Sequence, residues 1–146
     1  MVDSALPLLA TLDDLARLVQ GRPDLFVRWS RGPEVDLPGQ GSRDDLTGVP
    51  MPGLSANPLA VEQWWGDRSV HLWVARRLYD YSHLEHEKGP GVHPWVFKGE
   101  GVGRGPDNEP LVRCGRPVCR LSAGGIEEAV AMVNGQRRPW GTMRRA

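Results

Sequence analysis

The chain has 146 residues, with 18 Lys and Arg against 18 Asp and Glu, so its formal net charge is zero. A chain of this length fits one domain that buries roughly 70% of its unfolded surface, so neither a disulfide framework nor a structural metal is needed to hold it together. The charge balance argues against a general electrostatic binder of nucleic acid, which carries a basic excess. The lack of any apolar run near ~20 residues argues against a membrane span.

Met1 to Thr11 has Asp3 among its leucines and no basic start, so it does not read as a secretion signal. Thr11 caps a helix expected over Leu12 to Gln20, with Asp13 and Asp14 at its positive end and Leu12, Leu15, Ala16 and Val19 on one face. Gly21 and Pro23 stop it. Leu25 to Ser30 alternates as a strand, with Leu25, Val27 and Trp29 on one face and Phe26, Arg28 and Ser30 on the other. Residues 31–53 are rich in Gly, Pro, Asp and Arg and read as one long irregular connection.

Leu54-Ser55 is expected as a short strand. Asn57 and Pro58 have the residue types of a helix start, so a helix is expected from Asn57 to about Trp65. Ser69 to Ala75, with its valines and Trp73, reads as a strand, followed by a helix from Arg76 to Glu87. Pro94 to Lys98 reads as a strand and Gly99 to Asn108 as a glycine-rich loop. Leu111 to Cys114 and Pro117 to Leu121 read as two strands about Gly115. Ile126, Ala129, Val130 and Val133 mark a last helix that Asn134-Gly135 should stop. The expected fold is α+β, a mixed or mostly antiparallel sheet with about four helices. It forms a single domain over residues 1–135 with a flexible basic tail over 136–146.

Several familiar patterns are absent. Gly99, Gly101, Gly103 and Gly105 alternate, but strand follows them and no Lys-Ser/Thr pair closes the run, which excludes a Rossmann fingerprint and a P-loop. His83 and His86 are three apart, whereas the zincin helix needs four, so no metal site is expected. Cys114 and Cys119, the only cysteines, read as reduced thiols packed as small hydrophobes, in keeping with a cytoplasmic location.

Three segments place polar residues where strands or helix starts would hold them. Arg28 lies mid-strand in Phe26 to Ser30, where an unpaired cation is costly to bury. Ser55 and Asn57 lie in Gly53 to Pro58, a strand end feeding the expected helix N-terminus, whose free N–H groups and dipole suit a phosphate or carboxylate. Asp107 and Glu109 stand just before the strand at Leu111. Two arrangements are open: an ion pair of Arg28 with Glu109 across the sheet, or an anion clamp with a general base.

The stretches RWSRGPEVDL, PGLSANPLAVEQWWGDRS, WVARRLYDY and GRGPDNEPLV resemble a small family of uncharacterised actinobacterial proteins, a domain of unknown function. More distantly, the order Arg28, Ser55, Glu109 is similar to the ADP-ribosyltransferase fold. That resemblance implies NAD as substrate and no metal. Arg28 would hold the NAD phosphates or ribose, and Ser55 would shape the nicotinamide pocket with Asn57 beside it. Glu109 would bond the ribose hydroxyl, and Asp107, two residues earlier, would orient the acceptor, where Glu or Gln is usual. Trp29, Trp64 and Trp65 are offered as stacking surfaces for a base. The partners expected are a small-molecule nucleotide or an unidentified protein. The alternative to an enzyme is a non-catalytic protein- or peptide-binding module that uses Trp64, Trp65 and Trp140 with the arginines of the tail.

Overall fold

The computed structural model describes residues 6–37, 53–79, 91–105 and 110–144, with backbone alone over 136–144. In chain order the elements are β1 (Leu8–Leu9), α1 (Leu12–Val19), β2 (Leu25–Ser30), α2 (Pro33–Asp36), β3 (Leu54–Ser55) and β4 (Asn57–Pro58). A 3-10 turn (Gln63–Trp65) follows, then α3 (Val70–Tyr79), β5 (His93–Arg104), β6 (Pro110–Leu121) and α4 (Ala123–Arg144). The fold is α+β, with four helices among the described residues and a mostly antiparallel sheet.

The sheet order is β1-β6-β5-β2-β4, and β3 also pairs with β6. Only β1 runs parallel to its neighbour. The placement of β3 and β4 curls the sheet. Leu54 and Ser55 pair with Val112 and Leu111 of β6, while Asn57 and Pro58 pair with Val27 and Phe26 of β2. Ala56 alone separates them, so one five-residue run bridges two strands that lie on either side of β5.

The curl gives the sheet two unlike faces. Outside, α1, α3 and α4 cover Leu25, Val27, Val96, Cys119 and Leu121 with Leu15, Ala16, Trp73, Val74 and Leu78. Inside, Leu54, Ala56, Trp95, Phe97, Val112 and Cys114 form a second cluster, with Phe26 and Leu37 against it.

The caps of α1 follow the sequence. Thr11 Oγ1 accepts from the Asp14 amide at 3.2 Å, and Glu128 of α4 accepts from the Leu12 amide at 2.7 Å, which satisfies a second free N–H of the first turn. Elsewhere local preference is overruled. Asn57 and Pro58 start no helix: they form an edge strand, where a proline costs no ladder bond. Asn57 caps α3 from outside, its Nδ2 donating to the Arg77 carbonyl at 3.3 Å. Only Gln63 to Trp65 turns helically.

The segment expected as a strand at Ser69 to Ala75 lies instead in α3. Ser69 Oγ accepts from the Leu72 amide, and Trp73, Val74 and Leu78 bury along one helical face, a tertiary gain that outweighs β-propensity. Residues 80–90, where that reading placed most of its next helix, lie outside the described residues.

The glycine run is no loop as far as Arg104. It continues β5, and the β5–β6 ladder reaches Arg104↔Pro110 with register shifts on the way. A Cβ at Gly99 would meet the Arg113 carbonyl oxygen at 2.7 Å and Val112 Cγ1 at 2.8 Å, so close packing of the ladder explains that glycine. The two strands expected about Gly115 are one strand, bulged where Gly115 and Val118 are skipped by the pairing. The helix α4 passes through Asn134 and Gly135, which weaken a helix without obliging it to end, and runs on to Arg144.

Candidate functional site

The inner face of β2 holds a charge. Arg28 follows Phe26 on that face, and its side chain is 15% exposed. Nε donates to Asp36 Oδ2 at 2.7 Å, and Nη1 donates to the Ser55 carbonyl at 2.8 Å and to Ser55 Oγ at 3.1 Å. Asp36 comes from α2, is 12% exposed, and also accepts from Ser30 Oγ. Ser30 in turn accepts from Trp95 Nε1 at 2.8 Å and from the Gly32 amide at 3.1 Å. The six residues form one connected network at the rim of the inner apolar cluster. Each buried donor in it meets an acceptor, as a low-dielectric site requires.

Two of the expected site residues, Arg28 and Ser55, are therefore in direct contact. The third segment enters beside them. Leu111 pairs with Ser55, and the Pro110 carbonyl accepts from the Ala56 amide at 3.2 Å. Asp107 and Glu109, the expected catalytic carboxylates, lie outside the described residues, but the chain resumes at Pro110 one hydrogen bond from the Ser55-Ala56 step.

Other expected members stand elsewhere. Trp29 is 5% exposed on the opposite face of β2, and its Nε1 donates to the Leu78 carbonyl at 3.0 Å, so it stacks on nothing near Arg28. Asn57 is buried and committed to α3. Trp65 is buried too, its ring edge-on to Trp73 at 5.1 Å between centroids. Trp64 is 63% exposed, beside the Arg68 guanidinium, which lies 4.4 Å from the Trp65 ring centroid. The side chain of Trp140 lies outside the described residues.

Sequence reasoning missed Asp36, Ser30 and Trp95. Ser30 had a signal, because it shares the face of Arg28 two residues on. Asp36 had none, since only folding brings residues 33–36 back over β2.

Both cysteines are free and buried. Cys114 faces the inner cluster and Cys119 the outer one, on opposite faces of β6. Burial pushes their thiols up to about 11 and about 12. Among the described residues no group of three or more His, Cys, Asp or Glu could hold a metal ion, and no helix is long and apolar enough to cross a membrane.

Residues 2–141 match a family model described as a family of unknown function (DUF6098), and the chain belongs to that family. No curated protein and no solved structure matches the chain.

Proposed function

We propose that the rim of the inner face is a nucleotide site, and that the chain acts on NAD in the cytoplasm as an ADP-ribosyltransferase or NAD glycohydrolase. The observation that carries this reading is the contact of Arg28 Nη1 with Ser55, joined through the β3–β6 pairing to the start of β6. An Arg on the first strand, a Ser-containing segment before a helix and a Glu preceding a late strand are the three parts of the resemblance. Arg28 and Ser55 touch and the start of β6 pairs with Ser55, but strand β4 stands where the resemblance has a helix.

In this reading Arg28 holds the phosphates as a fork and Ser55 shapes the pocket around the nicotinamide. The bond from ribose C1′ to the nicotinamide nitrogen breaks, and its electron pair leaves with the ring and neutralises it. Glu109 bonds a ribose hydroxyl and stabilises the cationic sugar. Asp107 accepts the proton of the attacking water or acceptor hydroxyl.

The test is nicotinamide release from NAD, followed by proton NMR. Wild-type protein should release it, and Glu109→Gln should not, with an unchanged melting temperature. A wild-type protein that leaves NAD intact would remove the catalytic reading.

A second reading attaches to Trp64. An indole this exposed, edge-on to Trp73 at 5.5 Å and next to Arg68, suits a protein or peptide partner. It predicts a partner lost with Trp64→Ala and kept with Glu109→Gln.

A further inference from the structure

The carboxylate paired with Arg28 is carried on a short segment with a glycine at its base. Asp36 Oδ2 accepts from Arg28 Nε and from Ser30 Oγ. A phosphate oxygen needs the same two donors, a guanidinium edge and a hydroxyl. Carboxylate and phosphate therefore compete for one place.

Asp36 ends α2, which has four residues. Its backbone bonds are internal to the segment: Val35 and Asp36 donate to the Gly32 carbonyl and Leu37 donates to that of Pro33. Pro33 is buried and Leu37 leans on the inner cluster, while Glu34 and Val35 face solvent, Val35 at 60%. Gly32 has φ 111° and ψ 169°, a conformation that side chains disfavour, so the chain turns into α2 at a residue with wide freedom. Arg28 has a second anchor besides Asp36: its Nη1 donates to the Ser55 carbonyl at 2.8 Å and to Ser55 Oγ at 3.1 Å.

The geometry points to Asp36 as an internal competitor that sets the affinity of the site: a nucleotide phosphate enters by displacing its carboxylate, and α2 moves with it. This rests on reading the inner rim as a nucleotide site. Apparent affinity then falls in proportion to the small fraction of molecules in which Asp36 is already displaced.

Two measurements on the full chain decide it, with ADP as the probe. The first is amide hydrogen exchange of the wild-type protein, in which folding is not in question. ADP should speed exchange at Val35, Asp36 and Leu37. The second is ADP titration of wild type and Asp36→Asn, which keeps an acceptor for Arg28 and loses the charge. The variant should bind about tenfold more tightly.

Loss of a negative charge alone also favours ADP, so the amides carry the decision. If ADP binds and the three amides keep their protection, Asp36 is a fixed wall of the site. The competitor is then overturned while the nucleotide site stands. If neither protein binds ADP, the nucleotide reading falls and the competitor falls with it.

Discussion

The two faces of the curled sheet are built on different principles. The outer face is apolar layer on apolar layer, with its helices set by burial of Leu15, Trp73, Val74 and Leu78. Its ionic contacts are peripheral: Asp13 meets Arg17 and His71, each at 2.7 Å, on exposed helix surface. The inner face mixes Trp95 and Phe97 with a nearly buried ion pair and two hydroxyls. Burying a charge pair is weak evidence for stability, since well-packed hydrophobes often do as well. The outer face is held by apolar burial throughout, whereas the inner face combines apolar burial with a charge pair that burial alone does not require.

That contrast is open to attack by substitution. The largest loss is expected on the outer face. Trp73→Ala removes a 3% exposed indole and its bond to the Leu59 carbonyl, and should cost about 3–5 kcal/mol in urea unfolding. Arg28→Met should cost about 3 kcal/mol, because it leaves Asp36 nearly buried without its cation. Adding Asp36→Leu should restore most of that loss while leaving ADP unbound. A double variant as unstable as the single one would mean that the pair is a structural strut.

The smallest effect belongs to the exposed cluster. Its hydrogen bond to His71, then Arg17, holds the Asp13 carboxyl below its ordinary value of 3.8. A lowered folded value gives stability that is present above the unfolded value and fades as the pH drops through the folded one. Asp13→Asn should therefore cost a small amount of stability at neutral pH, a difference from wild type that closes as the pH falls through the folded value. A large shift at neutral pH would show that the α1–α3 contact matters more than its exposure implies.

What the sequence disclosed and what it hid divide along the same line. Strand Leu25–Ser30, its two faces and helix α1 were legible, because alternation and the Thr11 cap are local signals. Arg28 and Ser55 were legible as oddities, a cation and a hydroxyl in strand contexts. Helix α3 was not, because valines and Trp73 favour strands until Ser69 caps the segment and the outer core takes up Trp73, Val74 and Leu78. The glycine run hid a strand for the converse reason. Gly99 is small because Val112 and the Arg113 backbone lie against it, and cross-strand crowding leaves no local trace. Asp36 was hidden because its partner is eight residues away through a chain reversal that no periodicity reports.

The indole N–H resonances offer the most direct test of the central claim, because they report both faces at once. Trp95 donates to Ser30 inside the curl, whereas Trp73 donates to the Leu59 carbonyl and Trp29 to the Leu78 carbonyl on the outer side. Titration with NAD should shift the Trp95 signal saturably and leave those of Trp73 and Trp29 in place. A Trp95 signal that stays fixed through the titration would contradict a nucleotide site at Arg28.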